Sequence, residues 1–159
     1  RALPDQVDLV VLDFDGVLTD NRVWVNAEGQ EYVAAHRGDG WGVARLKEAG
    51  IAVAVLSTEV NPVVAARCQK LGIPVIQGVE EKGSVLKNML AERGIDPSRT
   101  IYVGNDVNDL PCFPVVGCAV VVADAHPLAR AQADMLLQHP GGYGAVRELC
   151  DLLILRQAK

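Results

Sequence analysis

The sequence has 159 residues, half of them hydrophobic, and a formal net charge of −5. This length suffices for one domain with a sizeable core and is short for two, and the acidic balance argues against a nucleic-acid-binding protein. No apolar run approaches the roughly 20 residues of a membrane-spanning helix, so we expect no membrane partner.

The start of the chain and its cysteines predict a cytoplasmic protein. The first five residues lack the apolar core of a signal peptide. No CxxC pair is present, which disfavours a zinc site. We expect reduced and mostly buried thiols at Cys68, Cys112, Cys118 and Cys150.

Along the chain, short apolar runs alternate with segments of helical spacing. The runs predict buried parallel strands at residues 7–14, 51–56, 74–77, 100–103 and 118–122. Helices are predicted at residues 42–49, 62–71, 83–93, 127–133 and 143–156, with a short helix or turn from Leu110. A β-hairpin is predicted at residues 22–35. The predicted fold class is α/β, a Rossmann-like doubly wound parallel sheet with a hairpin flap, formed by residues 1–159 as a single domain.

Ligands of such sheets bind beyond the carboxyl ends of the strands, so the polar residues that follow the apolar runs are candidate site residues. They are Asp13, Asp15, Ser57, Thr58, Glu59, Lys82, Asn105, Asp106 and Asp109. We expect all of them to converge on one edge of the sheet.

Two carboxylates, Asp13 and Asp15, follow the first strand with one residue between them. Their repulsion would raise one pKa unless a cation lies between them, and a hard, oxygen-seeking ion such as Mg²⁺ resolves that conflict. Gly16 lets the backbone turn sharply at this point. An Asp-x-Asp pair alone is common and also solvates ordinary loops, whereas the whole stretch from Asp13 to Thr19 is far more specific.

This stretch resembles the first motif, Asp-x-Asp-x-(Thr/Val), of the haloacid dehalogenase superfamily. The resemblance covers nearly the full chain. It implies that Asp13 attacks phosphorus to form an aspartyl-phosphate, and that Asp15 is the general acid and base. It further implies that Ser57 donates a hydrogen bond to the phosphoryl group and that Lys82 neutralises the phosphate and holds Asp13.

The metal ligands are less clearly marked. The resemblance implies ligands from Asp13, from the Asp15 carbonyl and from an acid that directly follows Gly104, but that position holds Asn105. We expect Asp106 to be the third ligand, with Asp109 behind it. Ligation by the amide oxygen of Asn105 stays open.

No segment is long enough for a substrate-covering cap domain. The chain is similar to the minimal-cap branch that dephosphorylates 3-deoxy-octulosonate 8-phosphate (KDO 8-phosphate) and related nine-carbon sugar acids. The resemblance rests on residues 13–20, on 39–42 with Asp39 as a candidate substrate-binding residue, on 123–127 and on 141–148. Members of this branch are tetramers, which implies a homotetramer with the flap at an interface.

The residues after Ser57 predict the substrate. Octulosonate phosphatases typically have Thr-Gly-Arg there, whereas this chain has Ser57-Thr58-Glu59, followed by Arg67 and Lys70 on the next helix. This set resembles phosphatases of 2-keto-3-deoxy-nononate 9-phosphate (KDN 9-phosphate). Glu59 would accept hydrogen bonds from sugar hydroxyls, while Arg67 and Lys70 would face the sugar carboxylate. The alternative for the two cations is an ordinary solvated helix face.

Two departures weaken the substrate prediction, because basic residues of the branch are replaced by Gly38 and Tyr143. A KDO 8-phosphate phosphatase therefore stays an alternative. So does a catalytically weak oligomerisation module, like the phosphatase-like domain attached to some CMP-sialate synthetases. A receiver domain that accepts phosphate on aspartate would need neither Asp15 nor the flap.

Overall fold

The computed structural model describes residues 1–158 and contains one six-stranded sheet with helices on both faces. In chain order the strands are β1 (Leu9–Leu12), β2 (Trp24–Val25), β3 (Glu31–Tyr32), β4 (Ala52–Leu56), β5 (Val75–Ile76), β6 (Thr100–Gly104), β7 (Cys118–Val121) and β8 (Met135–Leu136). The main sheet has the order β5-β4-β1-β6-β7-β8, and all its pairs are parallel. Strands β2 and β3 form a separate antiparallel hairpin.

The helices pack in two groups. They are α1 (Arg37–Glu48), α2 (Pro62–Leu71), α3 (Lys82–Glu92), α4 (Pro127–Gln132) and α5 (Ala145–Gln157), with 3₁₀ helices at Pro97–Arg99 and Val107–Val115. Helix α1 contacts α2 and α5, whereas the longer 3₁₀ helix contacts α3 and α4. Since parallel crossovers are right-handed, these two groups cover opposite faces of the sheet.

Local sequence signals set the ends of the helices that flank the site. The Asn61 side chain accepts a hydrogen bond from the Val63 amide at the start of α2, which ends at Gly72 in the left-handed conformation. The Glu81 carboxylate accepts the amides of Gly83 and Ser84 at the start of α3. This cap fixes the first turn of α3, which carries Lys82.

The strand order places the predicted edge at a topological switch point. From β1 the chain builds the sheet outward through β4 and β5, then crosses back and builds the other half through β6, β7 and β8. The crevice that accepts ligands in such sheets lies beyond the carboxyl end of β1, where the two halves diverge. Every residue of β1 is buried, as expected for a central parallel strand.

The predicted α/β fold is confirmed, with local differences. Helix α1 begins at Arg37 rather than at residue 42, because Gly38, Gly40 and Gly42 hide its helical periodicity in the sequence. Strand β8 was not predicted, since two residues carry too little pattern to be recognised. The predicted hairpin is present but pairs over only two residues in each strand.

A glycine pair near the C-terminus packs directly on the loop that follows β1. A Cβ atom on Gly141 would lie 1.7 Å from the Gly16 carbonyl oxygen, and one on Gly142 would lie 2.3 Å from the Asp20 amide. Side chains are therefore excluded at both positions. The close approach brings Tyr143 next to the first segment of the flap.

The cysteines lie in the interior, as their expected burial implies. All four cysteines are free and buried. None of the helices within residues 1–158 combines the length and the apolar character needed to cross a bilayer.

Candidate active site

The centre of the site is a buried ammonium group between two carboxylates. Lys82 Nζ lies 2.9 Å from Asp13 Oδ1 and 2.9 Å from Asp109 Oδ1, and none of these side chains has more than a small exposed fraction. Lys82 also donates to the Tyr102 hydroxyl at 3.1 Å. Its three N–H groups are thereby matched to three acceptors.

Asp109 accepts hydrogen bonds from several of the groups around Lys82. Its Oδ1 accepts from Lys82 and Tyr102, and its Oδ2 accepts the main-chain amides of Asn105 and Asp106 at 2.8 and 3.1 Å. A carboxylate with four donors has no lone pair left for a metal ion. Asp109 therefore orients Lys82 and the turn after β6.

Burial and the second carboxylate dominate the electrostatics of Asp13. They raise its pKa from 3.8 to about 7, against the opposing effect of Lys82 and of the Phe14 amide hydrogen bond. For Lys82, burial favours the neutral form, but Asp13 and Asp109 outweigh it, so its pKa is raised and the ammonium stays charged. Two anions sharing one cation leave a net negative charge in a dry site, which is the condition that favours a bound cation.

Asp15 is half-buried and lies among other acids. Burial raises its pKa, and repulsion from Glu59 and Glu31 raises it further, while Lys82 acts in the opposite direction. A raised pKa keeps a carboxyl group protonated to higher pH, which suits a general acid.

Three oxygen-bearing groups meet where a metal ion was predicted. The terminal amide atom of Asn105 that faces the site lies 2.9 Å from Asp13 Oδ2 and 3.1 Å from the Asp15 main-chain oxygen. An amide nitrogen there would donate to both oxygens, whereas an amide oxygen there would complete an all-oxygen cation site. A Cβ on Gly16 would lie 2.0 Å from the other amide atom, so a glycine is required for this approach.

This oxygen set fits a hard cation. Mg²⁺ prefers carboxylate, carbonyl and water oxygens over nitrogen and sulfur ligands. Within residues 1–158 no group of three His, Cys, Asp or Glu side chains could hold a metal ion. The oxygen atoms described here belong to one carboxylate, one main-chain carbonyl and one amide.

Ser57 lies at the end of β4, beside β1. Its side chain is buried, and its Oγ accepts the Glu59 amide at 3.0 Å. The hydroxyl proton thus remains free to point toward a phosphoryl oxygen next to Asp13. Neighbouring strands lie about 4.8 Å apart, which places the two residues within reach of one phosphoryl group.

A cavity of 280 Å³ opens beside Asp15, under the hairpin flap. Its wall is formed by the start of the flap, strand β3 and the loop after β4, and it includes Thr58 and Glu59. The lining residues are Asp15, Asn21, Arg22, Val23, Glu31, Val33, Thr58, Glu59, Asn61 and Val63. A wider depression of 670 Å³ shares Glu31, Glu59, Asn61 and Val63 with it. The two spaces therefore lie next to each other, with these four residues between them.

The remaining predicted residues lie elsewhere. Asp106 is half-buried and caps the 3₁₀ helix through the Val107 amide at 2.7 Å, with no recorded contact to Asp13 or Asp15 in residues 1–158. Asp39 is fully buried and accepts the Arg147 amide at 2.9 Å, so in this chain it stabilises the start of α5 and cannot reach the cavity.

The two predicted cations of α2 do not line the cavity. Arg67 donates to the His36 carbonyl at the start of α1, and Lys70 is exposed on the solvent side of α2. The spacing of these two residues places them one turn apart on α2, but it does not determine which part of the protein they face.

Three residues of the site were missed in the sequence. Tyr102 lies within β6, where its hydroxyl meets Lys82, yet in the sequence it reads as one more core residue of a strand. Arg22 and Glu31 come from the flap. Both are charged residues in a hairpin whose hydrophobic alternation is weak, and this charge is the sequence feature that points to them.

Comparisons with known proteins find similar sequences and structures over most of the chain. The family profile of haloacid dehalogenase-like hydrolases matches residues 45–148. The 3-deoxy-D-manno-octulosonate 8-phosphate phosphatase of Escherichia coli K12 is 39% identical over 99% of this chain and 85% of its own length.

Solved structures agree with this match. A HAD family hydrolase from Streptomyces avermitilis is 53% identical with a TM-score of 0.91, covering 94% of this chain and 87% of its own. The octulosonate 8-phosphate phosphatase of Moraxella catarrhalis, solved with magnesium, phosphate and KDO, is 34% identical with a TM-score of 0.91, covering 96% and 88%.

The raised pKa of Asp13 predicts that replacing this residue stabilises the metal-free protein at alkaline pH. Because the pKa of Asp13 is raised, the folded state favours its protonated form, and the stability of the metal-free protein should fall as the pH rises from 3.8 through about 7. Asp13→Asn carries no charge and should lose this dependence. We expect its Tm in EDTA to exceed that of the wild type by several degrees at pH 8 and to equal it near pH 4, as measured by calorimetry.

Asp5→Asn is the matched control, since the Asp5 side chain is fully exposed. This variant should follow the wild-type curve at every pH. An Asp13→Asn protein that is less stable than the wild type at pH 8 would contradict the assignment of Asp13 as a strained buried anion.

Proposed function

Because the chain belongs to the haloacid dehalogenase-like hydrolases and is a phosphatase of that family, we propose that it hydrolyses the phosphomonoester of a 3-deoxy-2-keto sugar acid through an aspartyl-phosphate on Asp13. The observation that carries this proposal is the position of Asp13. Its buried carboxylate lies at the switch point of the sheet, 2.9 Å from the Lys82 ammonium, with Asp15 two residues away.

The proposed reaction has two steps. In the first, a carboxylate oxygen of Asp13 bonds to phosphorus while the bond from phosphorus to the sugar oxygen breaks, and Asp15 gives its proton to that oxygen. In the second, Asp15 takes a proton from water, whose oxygen attacks phosphorus and releases Asp13 and inorganic phosphate. Lys82 and the Ser57 hydroxyl compensate the charge on the phosphoryl oxygens.

We assign Mg²⁺ as the cofactor, held by Asp13, the Asp15 carbonyl oxygen and the Asn105 amide oxygen. When bound, it offsets the negative charge that the phosphate and the carboxylates bring together. The contacts of Asn105 with both other groups support it over Asp106, whose carboxylate is used as a helix cap. Magnesium in the Moraxella relative supports the same assignment.

The preferred substrate is proposed to be KDN 9-phosphate or a similar nine-carbon acid. Glu59 and Thr58 line the cavity beside Asp15, where Glu59 is placed to accept sugar hydroxyls. KDO 8-phosphate is the second candidate, because the Escherichia coli and Moraxella relatives bear that activity in their names.

We further propose that the protein forms a homotetramer and is located in the cytoplasm. The flap exposes Trp24, Val23, Val25 and Tyr32, with 71% of the Trp24 surface accessible. Such a cluster on a two-stranded hairpin is typical of an interface that another subunit covers. Four free thiols support a reducing compartment.

The first experiment is a screen of phosphate release. With Mg²⁺, the purified protein should hydrolyse KDN 9-phosphate, KDO 8-phosphate and p-nitrophenyl phosphate, with the highest kcat/KM for KDN 9-phosphate. Asp13→Asn should lower kcat at least about 10³-fold for all three, since no other group can replace the nucleophile, while Asp5→Asn stays active.

Two results would count against this proposal. Turnover retained in Asp13→Asn would exclude Asp13 as the nucleophile. A wild-type protein that forms tetramers but releases no phosphate from any of the three compounds would favour the oligomerisation module.

The ligand assignment predicts different effects of two neighbouring substitutions. Asn105→Ala should raise the Mg²⁺ concentration for half-maximal activity at least about tenfold, because a ligand is lost. Asn105→Asp should lower it, because a carboxylate binds Mg²⁺ more tightly than an amide. Asp106→Ala is the neighbouring control and should change it little. If Asp106→Ala raised the Mg²⁺ concentration for half-maximal activity and Asn105→Ala did not, Asp106 would be the ligand.

The acids around Asp15 predict a shift in pH dependence. Glu59→Gln removes a charge that raises the pKa of Asp15. The alkaline limb of the kcat/KM profile, where protonated Asp15 is lost, should therefore move to lower pH with a sugar phosphate. With p-nitrophenyl phosphate, whose leaving group departs without a proton, the profile should have no alkaline limb from Asp15, and the substitution should not shift it. An alkaline limb that stays in place with the sugar phosphate would argue against Asp15 as the acid.

A further inference from the structure

The hydroxyl group of Tyr102 has two hydrogen-bond partners at the centre of the site. Its oxygen accepts from Lys82 Nζ at 3.1 Å, and its O–H group donates to Asp109 Oδ1. A phenol hydroxyl has one proton to donate, so the direction of both hydrogen bonds is defined. Because Lys82 Nζ also donates to Asp109 Oδ1, the three side chains form a closed triangle of hydrogen bonds.

The Tyr102 hydroxyl stays protonated in this environment. Burial first, and then the charges of Asp109 and Asp13, raise the pKa of Tyr102 well above its usual value. The group therefore remains a donor to Asp109 and the neutral partner of Lys82, whose other two partners are carboxylates. An ionised phenol would instead add a third negative charge around a single buried ammonium.

The position of this hydroxyl is fixed by the sheet. Tyr102 is fully buried in β6, which pairs with β1 on one side and with β7 on the other. Its ring packs against Phe113, with the ring centroids 6.3 Å apart. The Asp13 amide donates to the carbonyl of the next residue of β6, Val103, at 2.9 Å. The hydroxyl and the carboxylate that is proposed to attack phosphorus are thus attached to neighbouring parts of one hydrogen-bonded sheet.

Lys82 reaches this sheet from a helix. Its ammonium is at the end of a flexible four-carbon chain, which begins in the first turn of α3. All three N–H groups of the ammonium are matched, by Asp13, Asp109 and Tyr102. A contact between Lys82 and a phosphoryl oxygen therefore requires one N–H group to leave its present acceptor.

The acceptor that changes during the proposed reaction is Asp13. When a carboxylate oxygen of Asp13 bonds to phosphorus, the group loses its negative charge and becomes a weaker acceptor. Asp109 and Tyr102 form no bond to phosphorus, so both of their hydrogen bonds to Lys82 Nζ can persist. Since the N–H groups of an ammonium have a tetrahedral arrangement, two fixed contacts determine the direction of the third.

We propose that Tyr102 is a positioning residue for phosphoryl transfer, whose hydroxyl, together with Asp109, holds the Lys82 ammonium while one N–H group turns from Asp13 to a phosphoryl oxygen. This inference rests on the proposed function and gives Tyr102 a role that acts through Lys82, without contact to the substrate. The role does not require another subunit, because the hydroxyl and its two partners are buried within one chain.

The test removes a single oxygen atom. Tyr102→Phe keeps the ring that packs on Phe113 and leaves the Lys82 ammonium with one fixed contact instead of two. We expect kcat to fall at least about tenfold for the preferred sugar-acid phosphate and for p-nitrophenyl phosphate, as for the loss of one hydrogen bond to a charged group in the transition state. KM should change less than about threefold, because the positive charge that attracts the phosphate remains.

Thr100→Val is the matched control, because it removes another buried hydroxyl from the same strand. The Thr100 hydroxyl donates to the Asp96 carbonyl at 3.1 Å, at the end of β6 that is opposite to the site. This variant should lose some thermal stability but keep the wild-type kcat at temperatures well below its Tm. A Tyr102→Phe protein with wild-type kcat, or with a change confined to KM, would overturn the inference. So would an equal fall of kcat in Thr100→Val, which would indicate a general weakening of β6.

A spectroscopic measurement separates this inference from the proposed function. NMR of the ¹⁵N-labelled lysine ammonium groups in the metal-free protein needs no turnover, and a buried, hydrogen-bonded ammonium exchanges its protons slowly with water. The Lys82 signal, identified by its loss in Lys82→Met, should be sharp in the wild type and in Thr100→Val and broadened in Tyr102→Phe. A wild type without turnover whose signal still depends on Tyr102 would reject the proposed function alone. An active wild type whose signal and kcat are both unaffected by Tyr102→Phe would reject the role of Tyr102 alone.

Discussion

The buried ammonium of Lys82 holds together two carboxylates that would otherwise repel each other, and the geometry of the site depends on this one group. Asp13 comes from the end of β1, Asp109 from the 3₁₀ helix after β6, and Lys82 from the first turn of α3. Three elements that are distant in sequence thus meet at one nitrogen atom. A buried charge without a partner is strongly unfavourable, so each of these groups constrains the placement of the other two.

The compensation is incomplete, and this gives the site its character. Burial, and then the charge of Asp109, keep the pKa of Asp13 high against the opposing effect of the single ammonium of Lys82. A divalent cation near Asn105 would reverse that balance and then favour the arrival of a phosphate dianion. The pKa of Asp15 is also raised, by burial first and then by repulsion from Glu59 and Glu31, which favours its protonated form. With a cation bound beside Asp13, the two aspartates would hold different protonation states although a single residue separates them.

Much of this arrangement could be predicted, because hydrophobic runs mark the strands and polar residues mark their ends. Asp13, Ser57 and Lys82 lie where the alternation of strands and helices places them. The choice between Asn105 and Asp106 could not be made this way, since successive residues after a strand point in different directions and a single step decides which one faces Asp13. The direction of a side chain on a helix is equally hard to predict. The sequence does not show that the Asp39 carboxylate accepts a hydrogen bond from the Arg147 amide.

The double glycine at Gly141 and Gly142 has a consequence for how the two ends of the chain cooperate. Its backbone fills the space against Gly16 and Asp20 that a side chain would otherwise occupy. The turn carrying Asp15 and Asn21 is therefore buttressed by a segment more than 120 positions downstream, which itself leads straight into α5. Because Gly141 and Gly142 pack on the backbone of that turn, loosening the segment that leads into α5 is expected to free the turn as well.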